Sequence, residues 1–222
     1  LLYSLVGQPL SIIGGGFIGG LFAIMFTSLF WSVGIHGWDL VLSVLQPTWI
    51  QMIDENRIAF QNGETIPHII NYTFMNTFVW IGGSGVILGL AILLLVRSKS
   101  KYLKELGKLG FPSTVFNVNE PIMFGLPVVM NPLILFPYIL TPVVCYIISY
   151  TTVAMGIVQP AVVLVPWSMP PIIGGYLATG GHISGAILQL VNLTVSIAIY
   201  YPFFKMLDNR TLASELGSES GA

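Results

Sequence analysis

Charged residues are spaced so unevenly in this chain that they limit what it can fold into. Between Leu109 and Phe204 there are 96 residues and a single Asp, Glu, Lys or Arg, namely Glu120. The whole chain of 222 residues has only 8 basic and 9 acidic residues, whereas a soluble domain of this length has about 55 charged residues. This deficit excludes an ordinary soluble protein and predicts an integral membrane protein in a lipid bilayer. A net charge of −1 offers no field that would attract nucleic acid.

Apolar runs long enough to cross the hydrocarbon core predict about four transmembrane helices. The predicted spans are residues 11–34, 72–96, 133–155 and 183–204. Residues 39–67 mix charges with tryptophan and phenylalanine, which is typical of an interfacial segment at the membrane surface. The predicted fold class is therefore all-α integral membrane.

Two further apolar stretches are too rich in proline for unbroken helices. Residues 110–131 have three prolines, and residues 158–176 have four. Irregular backbone at membrane depth is tolerated where protein surrounds it or where it lines a water-filled cavity. We therefore expect two re-entrant or broken-helix segments, and these are where a transport site would lie.

The distribution of basic residues predicts the orientation of the chain. Five of the eight lie in residues 97–108, which the positive-inside rule assigns to a cytoplasmic loop. The positive charge of this loop could serve solely to determine the membrane topology of the chain, or the loop could also be a docking surface for a phosphorylated partner. Residues 1–206 are expected to be the membrane part and residues 207–222 a disordered cytoplasmic tail. Because the chain opens on Leu1 in apolar surroundings, we expect it to be a piece of a longer protein.

Glu120 is the strongest candidate for a functional residue. A carboxylate at mid-bilayer costs about 2.5–3.5 kcal/mol, so it is normally paired, protonated or directed to a polar cavity. Pro121 disfavours helix at Glu120, and Asn117 and Asn119 supply nearby amides. This arrangement suits a hydroxylated solute, although an interfacial glutamate at a hairpin mouth is the alternative.

The histidines are weaker candidates. His36 ends the first span and could be either an interfacial polar group or part of a site, whereas His68 and His182 are expected at the interface. No two histidines have metal-ligand spacing, so we predict no metal, and no fingerprint of a cofactor is present. The single cysteine, Cys145, lies in an apolar run and is expected to be a buried small hydrophobe.

Tryptophans near the spans have two interpretations. Trp31, Trp80 and Trp167 could be anchors in the aromatic belt of the membrane. Trp167 lies in a proline-broken segment, where its rigid apolar face and N–H donor would suit stacking on a sugar ring.

Four motifs together are similar to a known family. They are Gly34-Ile35-His36-Gly37, Trp80-Ile81-Gly82-Gly83-Ser84-Gly85, Phe116-Asn117-Val118-Asn119-Glu120-Pro121-Ile122-Met123-Phe124-Gly125-Leu126-Pro127 and Val165-Pro166-Trp167-Ser168-Met169-Pro170-Pro171. They resemble the membrane component, enzyme IIC, of the phosphoenolpyruvate-dependent sugar phosphotransferase system, in its lactose/cellobiose/diacetylchitobiose branch. The resemblance extends over nearly the whole chain and corresponds to the C-terminal half of the family's proteins.

The resemblance implies a permease of the bacterial plasma membrane that takes up a disaccharide. The sugar would be phosphorylated on its 6-hydroxyl by a cytoplasmic IIB partner carrying a phosphocysteine, and a homodimer would form through the N-terminal half. Glu120 would bind the reacting hydroxyl and take its proton, and His36 would hold the same sugar. The implied sugar contacts are Trp31, Asn119, Gly82, Gly83, Ser84 and Trp167.

Two other functions remain open from the residues themselves. A proton- or ion-coupled secondary sugar transporter would use Glu120 as its proton carrier and would deliver unmodified sugar. A non-catalytic membrane assembly domain would need Glu120 or His36 only for stability. The motifs favour the phosphorylating permease, which is active as a phosphotransferase component only together with IIB.

Overall fold

A computed structural model describes residues 14–126, 128 and 131–219. No strand occurs among these residues, which confirms the all-α class. The α-helices longer than one turn are α1 (Phe17–Ser32), α2 (Gly37–Asn62), α3 (Leu88–Arg97), α4 (Lys101–Val115), α5 (Glu120–Gly125), α6 (Pro132–Ala154), α7 (Ile173–Ala178) and α8 (Ile183–Glu219). The long helix α8 packs on α3, α6 and α7, while α1 packs on α2 and α6. The predicted burial of Cys145, on α6, is also confirmed.

The four predicted spans correspond to four helical regions of the structure. Helices α6 and α8 are each long and apolar enough to cross a membrane. Residues Tyr72–Val86 and α3 pass the same test as a pair, with a bend of 54° between them. Helix α1 is a shorter apolar helix, and residues 11–13 of its predicted span lie outside the described residues.

The predicted span over residues 72–96 is bent and interrupted in the structure, so this region is a third broken segment. Here one helical turn, Tyr72–Phe74, leads into a π-helix, Met75–Val79, and a 3₁₀ turn follows at Ser84–Val86 before α3 begins. The glycines at positions 82, 83 and 85 all have positive φ, at 78°, 84° and 78°. Positive φ values keep this stretch out of the helical conformation, and they suit glycine because it has no Cβ.

A row of polar side chains on α8 binds the carbonyl groups that the broken segment leaves free. Gln189 donates to Thr77 O at 2.7 Å and Asn192 to Phe78 O at 2.9 Å, both in the π-helix. One and two turns further on, Ser196 Oγ donates to Val86 O at 2.8 Å and Tyr200 Oη to Gly85 O at 2.7 Å. These spacings of three and four residues place all four donors on one face of α8. The irregular backbone is stable inside the protein because these donors satisfy it.

The two predicted proline-broken segments are irregular in the structure, with different boundaries. Helix α4 continues through Pro112, and the break falls at residues 116–119. The second segment is irregular up to Ile172, and α7 begins at Ile173. Residues 127, 129 and 130 of the first segment lie outside the described residues.

The predicted interfacial segment is mainly one long helix. Helix α2 runs without interruption through Pro47 and ends at Gly63, which has a left-handed φ of 70°. Its mixed charged and aromatic composition is therefore carried on a helix and not on a loop.

The predicted loop 97–108 becomes helical at Lys101 and lies against the end of α8. The expectation of a disordered tail was wrong, because α8 continues to Glu219. Asp208 accepts hydrogen bonds from the backbone N–H groups of Lys99 and Ser100 at 3.0–3.1 Å. Glu215 accepts from Ser100 Oγ at 2.7 Å and from the backbone N–H groups of Lys101 and Tyr102 at 3.1 and 3.0 Å. These carboxylates stabilise the start of α4 and order the end of α8. Residues 220–222 lie outside the described residues.

Candidate functional site

The three broken segments and the start of α2 surround one cavity of about 310 Å³. Its volume is at the lower end of the range for small-molecule sites. The lining residues are His36, Trp38, Asp39, Leu42, Tyr72, Asn76, Trp80, Gly83, Ser84, Asn117, Asn119, Glu120 and Trp167. Aromatic surfaces, amides and two carboxylates therefore meet in one place.

Glu120 lies at the start of α5, immediately after the break that ends α4. Asn117 in this break has a left-handed φ of 65°, and Pro121 occupies the first turn of α5, where its missing N–H costs nothing. Oε2 of Glu120 is buried and has no hydrogen-bond partner among the residues that the structure describes. Because an unpaired buried carboxylate oxygen is costly, this atom is suited to accept a hydrogen bond from a ligand hydroxyl.

His36 caps the N-terminus of α2 and is oriented by Asp39. Its Nδ1 lies 3.3 Å from the backbone N of Asp39 and 3.0 Å from the Asp39 carboxylate. An unprotonated Nδ1 accepts from the backbone N–H, whereas a protonated Nδ1 donates to the carboxylate. In both states Asp39 engages Nδ1, which leaves Nε2 as the ring nitrogen available to a ligand.

Trp31 does not line the cavity. Its ring packs against that of His36 with centroids 4.6 Å apart, and its side chain is 4% exposed. It therefore packs against the imidazole without lining the cavity. The direct sugar contact that the family resemblance implies for Trp31 stays a prediction.

The glycine-serine turn is joined to the Asn117–Glu120 turn by two hydrogen bonds. Gly82 N donates to Asn117 Oδ1 at 2.7 Å, and Asn119 Nδ2 donates to Ser84 O at 2.7 Å. A Cβ on Gly83 would lie 2.7 Å from Asn117 O, so the two turns touch closely. Gly83, Ser84 and Asn119 line the cavity, while Gly82 lies behind it as a donor to Asn117.

Trp167 comes to the cavity from the second proline-rich segment. Its side chain is half-exposed, and its carbonyl oxygen accepts a hydrogen bond from Asn117 Nδ2. Asn117 thus joins all three broken segments, because its other amide atom binds Gly82.

The remaining histidines lie away from this cavity. His68 Nε2 contacts Glu55 on α2, and the His68 backbone pairs with Asn56. Burial raises the pKa of Glu55, but hydrogen bonds from His68 and Gln51 bring that pKa below its usual value. The carbonyl of His182 accepts from Thr179 Oγ1 in the turn before α8.

Several lining residues were not identified from the sequence. Trp38 and Asp39 directly follow the His36 motif but were assigned to the interface because a charge lay beside a tryptophan. Trp80 was interpreted only as a possible anchor in the aromatic belt, and Asn76 lies four residues before it in an apolar run. This helical spacing of a polar and an aromatic residue was the available signal. Tyr72 and Leu42 had no comparable signal.

Sequence comparison matches this chain to a family model and to curated relatives. The family model "Phosphotransferase system, EIIC" matches residues 1–142. The chain is 48% identical over 95% of its length to the lichenan permease IIC component of Bacillus subtilis, covering 47% of that protein. It is 46% identical over 95% of its length to the cellobiose-specific EIIC component of Geobacillus stearothermophilus, covering 48% of it.

A solved structure shares the fold. The crystal structure of ChbC, the IIC component of the N,N'-diacetylchitobiose-specific phosphotransferase system, matches with a TM-score of 0.95 and 41% identity. The match covers 97% of this chain and 50% of ChbC. The chain spans about half the length of the curated relatives it matches. The sequence motifs, the helical membrane fold and these matches together show that the chain belongs to the EIIC family of phosphotransferase-system membrane components.

Proposed function

We propose that this chain is the sugar-binding part of a permease that takes up a β-linked disaccharide and delivers it phosphorylated on its 6-hydroxyl. The observation that carries the proposal is the buried, unpartnered Oε2 of Glu120 in a cavity shared with His36. The names of the relatives, which specify cellobiose and N,N'-diacetylchitobiose, support a disaccharide of this class.

Glu120 is the general base of the proposed reaction. Its carboxylate accepts the proton of the sugar 6-hydroxyl as the hydroxyl oxygen forms a bond to phosphorus. The phosphorus–sulfur bond of the phosphocysteine on IIB breaks, and the cysteine leaves as a thiolate. His36 binds the same sugar through Nε2, with Nδ1 held by Asp39. The phosphoryl donor belongs to IIB, so this chain contributes binding, orientation and proton transfer.

The other walls of the cavity suit the rings of the sugar. Trp38 and Trp80 contact each other with centroids 5.4 Å apart, and Trp38 also stacks on Trp49. These fixed rings, with the half-exposed Trp167, offer apolar faces for the C–H surface of a sugar. Asn76 and Asn119 supply amides for its hydroxyl groups.

The side of the protein that carries residues 97–108 and the end of α8 is proposed to face the cytoplasm of a bacterial cell, where IIB is located. Contacts of Asp208 with Lys99 and Ser100 bring the end of α8 against the start of α4, which supports placing both basic regions on one side of the plasma membrane. Arg97, Lys104 and Lys108 then offer cations to the phosphoryl group of IIB. A homodimer would form through the N-terminal half, as the family resemblance implies.

The test uses membranes with the full-length parent protein, the general phosphotransferase proteins, IIB and phosphoenolpyruvate. Glu120→Gln keeps the size of the side chain but removes the base, so sugar 6-phosphate formation should fall by about 10²–10⁴-fold. Sugar affinity should fall less, because the amide still offers a hydrogen-bonding oxygen. Glu55→Gln, a matched change on α2 away from the cavity, should leave phosphorylation at the wild-type level.

Two results would contradict the proposal. Normal turnover of Glu120→Gln at saturating sugar would exclude Glu120 as the base. Uptake of unmodified sugar by the wild type, driven by a proton gradient and without donor-dependent product, would identify a secondary transporter.

A further inference from the structure

The side chain of Gln189 on α8 joins two of the broken segments. Its Oε1 accepts hydrogen bonds from Ile172 N at 2.7 Å and from Gly175 N at 2.6 Å. Its Nε2 donates to Thr77 O in the π-helix at 2.7 Å. The side chain is 3% exposed, so removing the amide would leave these backbone groups buried without their partner.

One of the groups that Gln189 binds belongs to a strained residue. Ile172 has a φ of 72° and a ψ of −54°, a conformation that is unfavourable for a β-branched side chain. It follows Pro170 and Pro171 and directly precedes α7. The hydrogen bond to Gln189 therefore stabilises the end of the turn that carries Trp167.

The beginning of the same turn is held by Asn117, whose Nδ2 donates to Trp167 O. Gln189, Asn117 and Trp167 also line a second, smaller cavity. Asn117 and Trp167 line the main cavity as well, whereas Gln189 does not. Gln189 thus lies directly behind the wall of the candidate sugar site.

We propose that Gln189 is a positioning residue for sugar binding. It holds residues 166–175 at a fixed separation from the π-helix, so that Trp167 and Asn117 present one geometry to the ligand. It acts through these two residues and does not touch the sugar. The inference rests on the proposed function for the identity of the ligand.

The experiment measures equilibrium binding of radiolabelled cellobiose and N,N'-diacetylchitobiose to the full-length parent protein, alongside phosphorylation kinetics. Gln189→Met keeps the length of the side chain and removes its polar atoms. We expect Kd and KM to rise about tenfold, because two buried amides and one carbonyl lose their partner. The kcat should stay within about threefold, because Glu120 and His36 keep their own contacts.

Two variants separate positioning from general stability. Gln189→Glu, when protonated, keeps both an acceptor and a donor, so sugar affinity should remain within about threefold of the wild type. Asn192→Leu removes a buried amide one turn along α8 that binds Phe78 O and Ser149 Oγ. It should lower the unfolding temperature but change the sugar Kd by less than about twofold, since Asn192 holds no part of the Trp167 turn.

Unchanged sugar affinity in Gln189→Met would overturn the inference, as would an equal loss in Asn192→Leu. Sugar binding without phosphorylated product would refute the proposed function while leaving the Gln189 comparison valid. If the wild type binds neither sugar, amide hydrogen exchange provides the test. Residues 166–175 should exchange faster in Gln189→Met than in Asn192→Leu, and equal exchange in the two variants would overturn the inference.

Discussion

Two apolar segments of this protein differ, in opposite directions, from the helix continuity that their proline content predicts. Helix α6 begins at Pro132, includes Pro137 and Pro142, and is nonetheless continuous over 23 residues. The region from Tyr72 to Arg97 contains no proline, yet it changes helix type, breaks and bends by 54°. Proline content alone therefore does not decide which segment is broken.

The difference lies in where the free backbone groups find partners. In α6 Pro132 occupies the first turn, where no N–H is needed, and each later proline removes only one bond from a long ladder. In the broken region the left-handed glycines interrupt the ladder, and Tyr200, Ser196 and other donors on α8 bind the freed carbonyls. A break is stable at membrane depth where a neighbouring helix supplies such donors.

The largest predicted effect comes from forcing a side chain into the break. A Cβ on Gly85 would lie 2.1 Å from Tyr138 Cδ2, and the residue has a φ of 78°. Gly85→Ala should destabilise the full-length protein by about 3 kcal/mol or more, from overpacking and the left-handed backbone together. Thermal unfolding in detergent is the measurement.

Gly156→Ala is the control for this change. Gly156 also has a positive φ, of 72°, but nothing lies within 4 Å of a Cβ built on it. Gly156→Ala should therefore lower the free energy of unfolding by only about 1 kcal/mol. Equal losses at the two sites would show that backbone conformation, and not close packing in the break, is what matters.

An intermediate effect is expected from removing one donor on α8. Tyr200→Phe removes the hydrogen bond to Gly85 O and leaves that buried carbonyl without this partner. The free energy of unfolding should fall by about 1–3 kcal/mol. The matched change in the continuous helix is Thr152→Val, which removes the bonds from Thr152 Oγ1 to Ile148 O and Ser149 O. Since these carbonyls lie within a helical ladder, this loss should be smaller. Unfolding temperatures of the two variants, measured side by side, check the order, and a larger loss for Thr152→Val would contradict it.

The smallest effect is expected from removing a proline of α6. Pro142→Ala supplies an N–H that can bond within the helix, and this gain offsets the lost packing of the buried ring. The free energy of unfolding should change by less than about 1 kcal/mol. Circular dichroism and thermal unfolding would detect a larger change, which would mean that the prolines shape α6 after all.

Much of the site was predictable because unusual residues stand out in an apolar chain. Glu120 is the single charged residue among the 96 residues from Leu109 to Phe204. The free-energy cost of a carboxylate in a bilayer indicates a polar environment for it, whatever the fold. The motifs containing His36, Ser84 and Trp167 were also identified, and the structure brings these residues to the same cavity. Asp39 was not identified, since its contact with His36 depends on where α2 begins.

The sequence by itself determined the membrane class, the all-α architecture and the candidate carboxylate, because hydropathy and charge act on each segment separately. Tertiary structure decided which apolar segments break. It also ordered the end of α8, because Asp208 and Glu215 find backbone donors at the start of α4. Both outcomes depend on hydrogen bonds between residues roughly 100 positions apart in the chain. Local composition does not specify such partners, since they exist only once the helices have packed.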